Sequence, residues 1–211
     1  EQGRSQGKPI KFFFPSSIAV YGLKNLAEKK SAGTVSEGNF LKPVTIYGCN
    51  KLYCELLGTY YSRHYQRLGA EEHHCYIDFR SIRFPGIISS NTIPMGGTSD
   101  YIPEMIHHGL SNSNYECFVN KDSILPFITM PDAINAIITI METKKVNLTS
   151  TVYNITSFSP TIEEIYKRIL KLNNNFKLTY LIDDMRQKIV DSWPQYIDDS
   201  LAKNDWNWIA N

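Results

Sequence analysis

Near its start the chain carries Ile10-Lys11-Phe12-Phe13-Phe14, followed at once by Pro15-Ser16-Ser17. A short apolar run of this kind reads as a β-strand buried on both faces, and such strands belong to parallel sheets covered by helices. One such strand cannot stand alone, so the remainder has to supply neighbouring strands and covering helices. Residues Pro43 to Gln66 carry apolar and aromatic side chains at helical spacing, and Tyr76 to Phe84 alternates with period two before stopping at Pro85-Gly86. Ser99 can cap a helix through Leu110, and Pro131 and Asp132 suit the first turn of a helix through Glu142. Thr151 to Ile155 reads as a further strand. Thr161-x-x-Glu164 has the spacing of a capping box for a helix to about Leu172. A strand from Phe176 to Ile182 and a helix from Asp184 to Ser192 follow. This order predicts an α/β protein with helices on the faces of its sheet.

Composition removes several function classes. The 22 Lys and Arg nearly cancel the 21 Asp and Glu, and a net charge of +1 gives no reason to expect nucleic acid or an anionic membrane as partner. The longest mostly apolar stretch, Ile134 to Met141, falls far short of the roughly 20 residues of a membrane-spanning helix. Cys49, Cys54, Cys75 and Cys117 form no C-x-x-C pair, so they read as reduced thiols of a soluble intracellular protein without structural zinc. His107-His108 lacks the order of a metal-binding helix, and His64, His73 and His74 read as solvated loop residues. No metal site is expected. Asn147-Leu148-Thr149 and Asn154-Ile155-Thr156 fit glycosylation sequons but read as incidental.

The chemistry-bearing residues fall in two segments. The first strand ends in Ser16 and Ser17, at the carboxyl edge where open α/β sheets place their ligands. Tyr47 and Lys51, four apart on a helix, share one face. An ammonium beside a phenol favours the phenolate and lowers a pKa that starts at about 10, which allows a tyrosine to act as a general base near neutral pH. A serine hydroxyl facing the phenol can then hold the substrate oxygen that gives up its proton. Tyr-x-x-x-Lys alone is a common coincidence; its coupling to the Ser-Ser strand end about 30 residues upstream makes a site. The tyrosines at 60, 61 and 65 lie at helical spacing and suit core packing or a helix–helix contact between two copies.

Pro15 to Gly22, Tyr47-x-x-x-Lys51 and Arg83-Phe84-Pro85-Gly86-Ile87-Ile88 together resemble the second half of an extended short-chain dehydrogenase/reductase. More narrowly, Gly96 to Tyr101, Leu125 to Asp132, Tyr153 to Thr156, Asp191-Ser192-Trp193-Pro194 and Asp198-Asp199-Ser200 are similar to the short-chain L-threonine 3-dehydrogenases. The resemblance runs from about Lys11 to Trp208. Met95 departs from it, standing where that family has a third glycine, and Gly69 to Cys75 reads as a small insertion.

The resemblance implies a Rossmann-like doubly wound parallel sheet, lacking its N-terminal strands, with a small C-terminal substrate-binding domain. Residues 1–88 and 121–157 would form the second half of the NAD-binding domain, and 89–120 and 158–211 the substrate-binding domain. It implies oxidation of the β-hydroxyl of L-threonine by NAD to give 2-amino-3-oxobutyrate. Tyr47 would be the general base, Lys51 would assist it and bond the nicotinamide ribose, and Ser17 would bind the reacting oxygen. Pro15, Ser16, Pro85, Gly86 and Ile87 would line the nicotinamide pocket. Gly97 and Thr98 would hold the amino acid, and Trp193 would close over it. Homodimer formation is expected, in a mitochondrial or cytoplasmic protein.

Two other readings share these residues. One is a sugar-nucleotide epimerase or dehydratase, against which Gly96 to Tyr101 and the short C-terminal region argue. The other is a truncated, inactive relative acting as a binding protein. The 211 residues hold no glycine-rich strand–turn–helix of the kind that cradles a dinucleotide pyrophosphate. The expectation is therefore that this piece alone binds no NAD and is inactive, and that the face and edge its missing strands would cover make it poorly stable alone.

Overall fold

A computed structural model of the chain describes residues 2–65, 75–111 and 113–210. The proposed insertion at 69–75, save Cys75, and His73 and His74 lie outside the described residues. In chain order come α1 (Gln2–Gln6), β1 (Ile10–Ser17), a 3-10 turn (Ile18–Val20), α2 (Leu26–Ala32), β2 (Thr34–Val35) and α3 (Ile46–Arg63). Then follow β3 (Ile77–Phe84), β4 (Gly86–Ile88), α4 (Tyr101–Leu110), β5 (Tyr115–Cys117), β6 (Phe127–Thr129), α5 (Met130–Glu142) and a second 3-10 turn (Lys145–Asn147). The chain closes with β7 (Val152–Asn154), α6 (Ile162–Leu170), β8 (Leu178–Tyr180), α7 (Asp184–Asp191), β9 (Tyr196–Ile197) and α8 (Ser200–Trp206).

The central sheet has the order β1-β3-β7 and is parallel throughout, with Ser17 level with Phe84 and Arg83 level with Asn154. Three two-stranded parallel pairs, β2-β9, β4-β6 and β5-β8, complete the strand pairing. The parallel, helix-covered α/β arrangement expected from the sequence is thus present. Strand β3 is buried along nearly its whole length, with α3 and α5 packed on it. Arg80, fully buried within β3, pairs with Asp78 at 2.6 Å and donates to the carbonyls of Ile140 and Thr143 at the end of α5. A cation at a helix C-terminus meets the negative end of the helix dipole, so this contact fixes α5 against the sheet.

One expectation needs correction. Strand β1 is not buried on both faces: Phe12 is 54% exposed, and among the described residues β1 is an edge strand paired with β3 alone. The apolar run identified a sheet strand correctly but overstated how much of it is covered.

Helix boundaries follow their caps. The Thr45 hydroxyl accepts from the Gly48 amide at 3.1 Å, so the helix expected from Pro43 begins at Ile46. Thr129 caps α5 and places Pro131 in its first turn. Thr161 and Glu164 form the expected capping box. Ser99 does not cap α4; Asp100 precedes it, and its carboxylate instead accepts from the Gly97 amide at 2.8 Å. The short elements α1, α2, α8, β2, β5, β6 and β9 carry too few residues for a periodic signal and are not apparent in the sequence. Buried side chains form two clusters, one around Tyr101, Ile102, Met105, Val119, Phe127 and Ile162, the other around Ile82, Ile128, Ala136, Tyr153, Trp206 and Trp208.

Candidate active site

Strand β1 ends in Ser17, whose hydroxyl accepts from the Ala19 amide at 3.2 Å and caps the 3-10 turn that follows. Because β1 and β3 are parallel and Ser17 is level with Phe84, the segments Pro15–Ser17 and Phe84–Ile87 leave the sheet side by side. Helix α3 begins against this edge. A Cβ on Gly48 would stand 2.0 Å from the Ala19 carbonyl oxygen, so a glycine there lets the first turn of α3 approach the strand end closely. Gly86 is small for a different reason, since a Cβ there would enter the Phe127 ring at 2.4 Å.

The result is a cleft of about 520 Å³. It is lined by every residue assigned a site role from the sequence except Gly97: Pro15, Ser16, Ser17, Tyr47, Lys51, Pro85, Gly86, Ile87, Thr98 and Trp193. Gly97 stands beside Thr98 and spends its amide on Asp100. Lys51 donates to the Pro15 carbonyl at 2.6 Å, and its ammonium lies 5.4 Å from the centre of the Tyr47 ring and 4.9 Å from that of Phe14. Tyr47 is 53% exposed and accessible from the cleft. Trp193 is buried, and among the described residues its indole N–H has no hydrogen-bond partner.

Beneath the cleft runs a polar network that the sequence reading missed. Ser16 is buried and its hydroxyl donates to Glu55. The Glu55 carboxylate receives Arg83 in a two-pronged pair, Nε at 2.9 Å and Nη2 at 2.7 Å, and both residues are buried. Arg83 also donates to the Tyr21 hydroxyl at 2.9 Å, which in turn donates to Asn154 at 2.7 Å. Burial works against the Arg83 charge, but the bonds to Glu55 and the neighbouring Tyr21 outweigh it and raise its pKa. Burial pushes Tyr21 up to about 12 against the opposing Arg83 charge, and burial likewise raises Glu37, which accepts from the Asn154 amide. The signal was present: Glu55 stands four residues after Lys51, as Lys51 does after Tyr47, so all three follow one line along α3. The additional cleft residues Ile18, Thr45, Phe84, Ser99, Asp100 and Ile189 carried no such pattern.

The outer part of α3 leaves Tyr53 and Leu56 more than half exposed and Tyr60 and Tyr61 partly so, with the rings of Tyr60, Tyr61 and Tyr65 in mutual contact. Among the described residues no helix is long and apolar enough to cross a membrane, and no cluster of His, Cys, Asp and Glu could hold a metal ion.

Residues 2–156 match the model of the NAD dependent epimerase/dehydratase family. The chain belongs to that family. Within its known members, the chain is 36% identical over 199 residues to a mitochondrial L-threonine 3-dehydrogenase of Bos taurus, covering 94% of this chain and 49% of that protein. It is 36% identical over 200 residues to an uncharacterised epimerase/dehydratase of Staphylococcus saprophyticus, covering 94% of this chain and 58% of the other. Among solved structures, an L-threonine dehydrogenase from Phytophthora infestans superposes with a TM-score of 0.84 at 36% identity, over 100% of this chain and 62% of that one. The chain thus spans about half the length of the bovine relative, and its Rossmann-like α/β fold is that of the family.

Proposed function

We propose that the protein containing this chain oxidises the β-hydroxyl of L-threonine with NAD, and that this chain supplies the acid–base and amino-acid-binding residues. The observation that carries the reading is the convergence of Ser17, Tyr47 and Lys51 on one cleft at the carboxyl ends of two parallel strands. The Tyr47 side-chain oxygen takes the hydroxyl proton as general base, the Lys51 ammonium stands beside its ring, and the Ser17 hydroxyl orients the substrate oxygen. Thr98 offers a hydroxyl donor to the amino acid, Trp193 forms part of the cleft wall, and Gly97 shapes the loop behind Thr98.

The donor set suits the nicotinamide-ribose end of NAD: a hydroxyl and an ammonium open on a cleft floored by Pro15, Ser16, Pro85, Gly86 and Ile87. The chemistry supplied by NAD, when bound, is acceptance of the hydride from the β-carbon. No glycine-rich pyrophosphate cradle occurs within the 211 residues, so only that end of the cofactor is assigned here. The same reading divides the chain into a cofactor-binding part, 1–88 and 121–157, and a substrate-binding part, 89–120 and 158–211. It also pairs two copies through the exposed aromatic side of α3.

The staphylococcal relative favours a second reading, a sugar-nucleotide epimerase or dehydratase using the same three residues. The two separate in one assay of the complete protein. NADH formation from L-threonine, with no conversion of UDP-galactose, is the expected result; the converse would overturn the threonine reading.

A further inference from the structure

Part of the cleft wall is built by the end of α7: Ile189 and Trp193 both line it, with Val190, Asp191 and Ser192 between them. Among the described residues the indole N–H of Trp193 has no hydrogen-bond partner, so the ring is placed by its packing in the buried cluster and by the backbone that carries it.

That backbone is tied twice to the segment around α2. The Leu23 amide donates to the Ser192 carbonyl at 2.9 Å, and the Lys29 ammonium donates to the Val190 carbonyl at 2.8 Å. Lys29 is 1% exposed and Val190 fully buried. Val190 is among the last residues of α7, where the dipole is negative, and its carbonyl also accepts from the Trp193 amide at 3.3 Å, so the ammonium joins the bond that leads to Trp193. The charged group facing Lys29 is Asp191, which is itself held by a 2.8 Å bond from the Gln187 amide. The arrangement is not a means to a more stable fold. Burial drives Lys29 down to about 8 in spite of Asp191, so the fold disfavours the charge it encloses.

We propose that Lys29 is a positioning residue for the amino-acid pocket, a buried strut from α2 that fixes the end of α7 and with it the place of Trp193 in the cleft. The proposal rests on the assignment of Trp193 to substrate binding made above. Lys29 does not line the cleft, and nothing in its local sequence marks it as part of the site.

The test uses the complete protein with Lys29→Met, which keeps the length of the side chain and removes the ammonium, and Lys29→Arg, which keeps a cationic donor. Displacement of a binding wall by even 1 Å can cost a reaction up to about 100-fold. For Lys29→Met the KM for L-threonine should rise about tenfold, with the KM for NAD unchanged and Lys29→Arg recovering part of the loss. Hydrogen–deuterium exchange without substrate should quicken in residues 186–195 and stay as it was in β1 and α3. An unchanged threonine KM with unchanged exchange overturns the proposal. So does a uniform fall in melting temperature and in every kinetic constant, since that describes a structural residue. If the native protein leaves L-threonine untouched, the functional reading fails, while the exchange experiment still decides the strut: local quickening supports it, and no change overturns it.

Discussion

Lys51 keeps its ammonium 5.4 Å from the centre of the Tyr47 ring, one turn along the same helix. The 2.6 Å bond to the Pro15 carbonyl holds the ammonium at the strand end, so the cation and the phenol face the same cleft as Ser17. Replacing Tyr47 with Phe removes the proton acceptor and leaves the ring. In the complete protein, turnover of L-threonine should fall about 100-fold or more, within the range general-base catalysis contributes. NAD binding measured by calorimetry should persist. Turnover within a few-fold of native would refute the role of Tyr47.

The Glu55–Arg83 pair supports that geometry from below. Both side chains are buried, and their carboxylate–guanidinium contact is two-pronged. Removing one member of such a pair strands the other charge in the interior and costs about 3–5 kcal/mol. Glu55→Ala should lower stability to urea by that amount, whereas Glu55→Met combined with Arg83→Met should recover much of it, because two apolar side chains leave no orphaned charge. Equal losses in the single and double variants would show that the network matters for shape and not for charge.

How far the sequence announces this architecture depends on length and on locality. The strand at Ile10, helix α3, the capping box at Thr161 and the Tyr47/Lys51 pair are long or local enough for periodicity and spacing to report them. The cleft could be assembled from short motifs because β1 and β3 are in parallel register, which places the residues following each strand together. Two- and three-residue strands such as β2, β5 and β9 exist only through partners distant in sequence. Contacts of side chains brought together by folding, Ser16 to Glu55 and Lys29 to Val190, leave no local trace either. The exposure of Phe12 likewise depends on how many neighbours its strand has, which apolarity alone does not specify.

Gly48 sets the distance between α3 and the strand end. A methyl group there would stand 2.0 Å from the Ala19 oxygen and 2.9 Å from the Pro43 ring, both held by backbone. The helix start would have to move away, carrying Tyr47 from Ser17. Gly48→Ala, ordinarily favourable in a helix by up to about 1 kcal/mol, should instead destabilise the protein and reduce kcat by at least tenfold, a loss of the size that misplaced catalytic groups produce. A stabilised, fully active variant would show that the close approach is not needed.

Burial brings Lys29 from 10.5 down to about 8, which ties stability to pH with a definite sign. Between those values the unfolded chain holds a proton that the folded chain has released, so unfolding free energy rises with pH across this window. The contribution is complete above 10.5 and lost as pH falls through about 8. Other groups act in the same range: burial raises Cys117 to about 11 and Tyr21 to about 12, and both take stability away as pH rises. The difference between native protein and Lys29→Met isolates the lysine. Urea unfolding at pH steps from 7 to 10 should show the native protein gaining on the variant by on the order of 3 kcal/mol, most of it above pH 8. Parallel stability curves would mean that Lys29 keeps an ordinary affinity for its proton in the fold, and that its enclosure by α2 and α7 costs the protein nothing.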